Sequence, residues 1–103
     1  MQETATSQNM SVSNFATGTF TGDGTAIEVL CGFKPRHVKV VNVTDVEVWD
    51  KFESMTDAQS IKTVTAGTTT IDTASAIVLT ERGFTLLAAE FGSADVVHWA
   101  AWG

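Results

Sequence analysis

GFKPRHVKVVNVTDVEVWDKF, residues 32–52, decides the fold class. Val46, Val48, Asp50 and Phe52 alternate with Glu47, Trp49 and Lys51, the period of two that sends successive side chains to opposite faces of a strand. His37 to Thr44 has the same texture, with Val38 and Val40 followed by Val41 and Val43. That slip of one position predicts either a β-bulge near Val40-Val41 or a strand buried on both faces. The two strands are expected to pair across Thr44-Asp45. Just upstream, Pro35 cannot donate a backbone hydrogen bond, so Gly32 to Arg36 interrupts the ladder.

The same reading extends in both directions. Thr21-Gly22-Asp23-Gly24-Thr25 carries the glycine and aspartate that a tight hairpin needs at positive φ. After it, Ile27, Val29 and Cys31 share one face and Glu28 takes the other. Residues 53–60 (ESMTDAQS) are the weakest β segment and read as a loop or a single helical turn. Ala66-Gly67 joins Ile61–Thr65 to Thr68–Thr73 in a predicted hairpin, and Glu81-Arg82-Gly83 joins Ala76–Thr80 to Gly83–Ala89 in another. Past the turn Gly92 to Asp95, the last strand is apolar on both faces: Val96, His98, Ala100 and Trp102 against Val97, Trp99 and Ala101. Such a strand belongs inside a sandwich or against another chain. About eight short strands with no strong helix predict an all-β domain, a compact antiparallel β-sandwich or barrel, over residues 15–103. Residues 1–14 are polar and predict an extended N-terminal arm, with Met10, Val12 and Phe15 as the anchors of a partner contact.

Composition agrees. Threonine (16) and valine (12) dominate while leucine occurs four times, which suits pleated, half-buried surfaces rather than helices. At 103 residues the chain holds one domain, and no apolar run reaches the roughly 20 residues of a membrane span. The first residues lack the positive charge and apolar core of a secretory signal. A formal charge of −6 repels phosphates, so nucleic acid is not an expected partner despite the local cluster of Lys34, Arg36 and Lys39. That cluster is expected to pair with carboxylates across strands or on a partner.

Candidate chemistry is sparse. Cys31 is the sole cysteine, which excludes an internal disulfide, and its place on an apolar face reads as a small buried hydrophobe. His98 reads as a packed core histidine, and Asp23 as a turn residue rather than a calcium ligand. No activated nucleophile is nominated. The expectation is no enzyme, no cofactor and no metal. Trp49, Trp99 and Trp102 suit either core packing or, if exposed, sugar recognition.

Residues 18–55, GTFTGDGTAIEVLCGFKPRHVKVVNVTDVEVWDKFESM, resemble the small virion structural proteins of tailed bacteriophages. The shared features are a Gly-Phe-x-Pro-x-x-Val-x-Val-x-Asn segment (Gly32, Phe33, Pro35, Val38, Val40, Asn42) with Trp49 and Met55 downstream. Gly83-Phe84-Thr85 and a terminal His-Trp-x-Ala strand (His98, Trp99, Ala101) follow. The resemblance implies a virion protein, foremost a capsid decoration (cement) protein on the outer capsid surface that stabilises the head. A free-standing chain with its own initiator methionine and a polar leader fits that place. The implied partners are the major capsid protein and other virion proteins, with a homotrimer formed through Trp99 and Trp102. A tail-fibre or receptor-binding module, and a glycan-binding β-sandwich, are the alternatives.

Overall fold

The computed structural model describes residues 14–88 and 91–103. Among these residues nine antiparallel strands form two sheets packed in a sandwich-like fold: β1 (Phe15–Thr21), β2 (Ile27–Leu30), β3 (His37–Asn42), β4 (Glu47–Phe52), β5 (Ser60–Thr63), β6 (Thr69–Asp72), β7 (Ile77–Thr80), β8 (Gly83–Leu86) and β9 (Val96–Trp102). The large sheet runs β1-β9-β3-β4-β5-β6, and the small one β2-β8-β7. The C-terminal strand thus lies between the first and third, and of its two apolar faces only the one carrying Val97, Trp99 and Ala101 turns inward, while Val96, His98 and Trp102 are exposed.

Alternation fixes what each strand buries. On the large sheet Val38, Val40, Trp49, Val97 and Ala101 point inward and are inaccessible to solvent. From the small sheet come Ile77, Phe84 and Leu86. Phe84 and Trp99 meet edge-to-face at 5.4 Å and link the two layers, while Phe91 closes on Trp49 at 4.6 Å. Trp99 can lie flat against the large sheet because it crosses Gly18 of β1. A Cβ at Gly18 would sit 2.7 Å from the indole. The β5–β6 hairpin reaches past this cover, and Thr69, Thr70 and Ile71 are exposed.

Three local expectations need correction. Thr21 to Thr25 is a turn but joins no hairpin, since β1 and β2 belong to different sheets. Gly22 is the reason. Its N–H donates to Asp95 O at 2.8 Å and its carbonyl accepts from Ala94 N at 2.8 Å, so the chain is tied to the start of β9 and must leave across the sandwich. The Asp23 carboxylate then takes the Thr25 N–H and hydroxyl, at 3.1 and 2.6 Å. Second, no bulge occurs at Val40-Val41. β3 pairs in unbroken register with both β9 and β4, and Val41 simply faces outward, half-buried. Third, His98 is exposed on the outer face of the large sheet rather than packed in the core.

Several motif residues of the resemblance act as folding determinants. Pro35 is fully buried. Asn42, also buried, donates to Asp95 Oδ2 at 2.9 Å and accepts from Asp45 N at 3.1 Å, which ties the β3–β4 turn to the loop before β9. In that turn Val46, a β-branched residue, has a left-handed φ of 56°. Such strain costs roughly 1–3 kcal/mol. Val46→Gly is therefore expected to raise stability by about 1 kcal/mol in a denaturant titration, and no gain would mean that Val46 is not strained.

Candidate functional site

The outer face of the large sheet is covered by no other described element. The register places Phe15 beside Trp102, Trp102 beside His37, and His37 beside Phe52, one residue from each of four neighbouring strands. Their rings form one continuous row. Phe15 and Trp102 lie 5.5 Å apart, tilted by 47°; Trp102 and His37 are stacked at 4.8 Å and 15°; His37 and Phe52 are stacked at 4.5 Å and 10°. Near-parallel rings on side-by-side strands stand upright from the sheet, so their flat faces meet each other and their edges meet solvent. Phe15, Phe52 and Trp102 remain 55%, 42% and 38% exposed.

Asp50 locks the row in place. Its Oδ1 hydrogen-bonds His37 Nε2 at 3.0 Å, and its Oδ2 pairs with Lys39 Nζ at 3.6 Å. A carboxylate holding an imidazole is also a catalytic element. Here, however, Phe52 and Trp102 cover the two faces of the ring and Asp50 occupies one nitrogen, an arrangement that fixes an aromatic rather than frees a base. Lys39 fulfils the cross-strand pairing expected of the basic cluster. Among the described strand residues of this face, Lys39 and Asp50 are the two Lys, Arg, Asp or Glu side chains, so little of the chain's negative charge lies on these strands. A shallow depression next to the row lies among Lys39, Val41, His98 and Ala100.

No family model, no curated protein and no solved structure matches the chain. Its function must be argued from this face and from the sequence.

Of the residues singled out in the sequence, Phe15 and Trp102 are brought together here, although one was expected to anchor an arm and the other to form a self-contact. Trp99 does not join them. It lies on the opposite face of β9, half-buried against Phe84. Met10 and Val12 fall outside the described residues. Sequence reading missed His37 and Phe52 as members of the row. Their signal was present in the alternation, which puts His37 on the face of Lys39 and Phe52 on the face of Asp50, but only the strand order aligns them with Trp102. Cys31 is half-buried, its Sγ 3.4 Å from Phe33 O. Among the described residues no group of three His, Cys, Asp or Glu side chains could hold a metal ion.

Proposed function

We propose that this protein is a bacteriophage virion structural protein, a non-enzymatic capsid decoration protein that attaches to the outer shell through the outer face of its large sheet. The upright row Phe15–Trp102–His37–Phe52 supports this reading. Exposed, ordered aromatics with little net charge around them are what a protein interface concentrates at its centre. A chain of net charge −6 docks at least cost through a face whose two charged groups neutralise each other. Phe15 directly follows residues 1–14, so an arm that grips a neighbouring subunit would start from the same corner, and its contacts would combine with those of the row. A partner that binds only the assembled shell stabilises it by mass action.

The geometry weighs against sugar recognition. Sugars stack on an uncovered ring face, and Trp49 is buried, Trp99 packs on Phe84, and Trp102 is flanked by His37 and Phe15. A homotrimer built on Trp102 would bury the row against itself, so self-association and shell attachment need different surfaces.

The test is co-sedimentation with shells assembled from the cognate major capsid protein. The wild-type protein is expected to bind saturably and to raise the temperature at which shells disrupt. Trp102→Ala is expected to weaken binding by roughly 30-fold, the effect of losing one interface anchor, while circular dichroism stays unchanged. Binding to host cells in place of shells would instead favour the receptor-binding alternative.

A further inference from the structure

Among the described residues, strand β1 is an unguarded edge. Natural sheets protect their edge strands with charge, proline, bulges or shortness, because unpaired backbone groups invite another strand. The other edges comply: β6 is four residues long and ends in Asp72, β2 is four residues with Glu28, and β7 is four residues. By contrast β1, Phe-Ala-Thr-Gly-Thr-Phe-Thr, runs seven residues in unbroken register with β9 and contains no charged residue and no proline.

The direction of its free groups follows from the ladder. Gly22 N–H reaches Asp95 O, and Gly103 N–H reaches Asn14 O, so even-numbered residues of β1 turn their backbone groups toward β9. The N–H and C=O of Phe15, Thr17, Thr19 and Thr21 therefore point to the open side, with no partner among the described residues.

We propose that this edge pairs with the β1 edge of a second copy, antiparallel, about a twofold axis at Gly18. Thr17 then faces Thr19 of the other copy and Phe15 faces Thr21, so every outward-pointing residue meets another, in about eight backbone hydrogen bonds. The contact is isologous and closes at two subunits. Symmetry selects a second copy as the occupant, because the outward-pointing residues 15, 17, 19 and 21 lie evenly about Gly18 and pair with themselves in full register. Two chains of −6 repel, and the contact forms where a strand contributes none of that charge. Length selects β1 over β6, because only β1 against β1 matches seven residues with seven. The two Gly18 residues form the closely spaced pair at the centre, where the absence of side chains lets the strands approach. The result is one twelve-stranded sheet with both aromatic rows on the same face. The inference does not depend on what those rows bind.

Sedimentation velocity of the full chain is the test. A dimer is expected at high micromolar concentration, and a monomer or a trimer there overturns the proposal. Thr17→Lys combined with Thr19→Lys sets like charges opposite each other across the twofold axis. It is expected to raise the dissociation constant at least about ten-fold. Thr17→Lys combined with Thr19→Glu sets opposite charges there and is expected to restore the dimer to within about three-fold of wild type. Both variants lose the Thr19 Oγ1 bond to Val97 O equally, so any folding penalty cancels between them. A dimer indifferent to the lysine pair, or not rescued by the lysine–glutamate pair while circular dichroism remains native, overturns the proposed register.

Discussion

Gly83→Ala is expected to remove a large share of the protein's folding stability. A Cβ on Gly83 would stand 1.8 Å from Val29 O and 2.9 Å from Val29 C, and both atoms are backbone of the neighbouring strand β2. No side chain can swing away to make room. The whole of β8 would have to move, and its next residues are Phe84 and Leu86, both in the core, with Phe84 holding the small sheet against Trp99. The Arg82 carbonyl, which accepts the N–H groups of Cys31 and Gly32 at 2.9 and 3.0 Å, would be displaced as well. Steric conflict of this kind costs roughly 3–5 kcal/mol, against a total stability of about 5–15 kcal/mol for a small domain. Gly32→Ala is the control. That residue has φ of 90° but no atom within 4 Å of its would-be Cβ, so the substitution carries only the backbone penalty of about 1 kcal/mol. Urea titrations of the two variants should therefore differ by several-fold in lost stability. Equal losses would mean that β2 and β8 are not packed as closely as described.

Gly83 also marks where sequence reading worked. Hairpins β3–β4, β5–β6 and β7–β8 were legible because each pairs a local period of two with a local turn signal, and both signals lie within a few residues. Thr21 to Thr25 carried an equally good turn signal and misled, because what sends the chain across the sandwich is the hold of Asp95 and Ala94 on Gly22, from the far end of the sequence. His98 misled for a related reason. Its strand is central, but an apolar strand at the centre of one sheet still has a face that the smaller sheet does not cover. The aromatic row was half visible. Phe15 and Trp102 stood out as large apolar residues at the two ends of the chain, yet they meet only because β9 enters between β1 and β3. No local pattern carries that insertion.

Lys51 was the least legible residue of all, and removing it is expected to have the second large effect. Alternation placed it on the face of Trp49, where a charged side chain would ordinarily argue for solvent, yet it is buried. Its Nζ donates to Gln59 O at 2.6 Å and to Thr56 O, so one ammonium satisfies two carbonyls of the loop 53–59. That loop begins directly after Phe52, the last ring of the row, and the Glu53 N–H is held by Arg36 O at 2.9 Å. Lys51→Ala leaves a cavity and two loop carbonyls without their donor, and is expected to cost about 3 kcal/mol or more. Lys51→Met keeps most of the volume and removes a charge that was costly to bury, so its loss should be nearer 1–2 kcal/mol. A pH series separates the charge from the packing. Desolvation holds the Lys51 ammonium below its ordinary value of 10.5, with Asp57 opposing. Between the lowered value and 10.5 the unfolded chain binds the proton more tightly than the folded one, so the contribution of Lys51 to stability rises with pH across that interval. The stability gap between wild type and Lys51→Met should therefore widen from pH 7 toward pH 10, as read from urea midpoints at matched salt. A gap that stayed constant or narrowed would show that the ammonium is solvated, and the loop would then be held by packing alone.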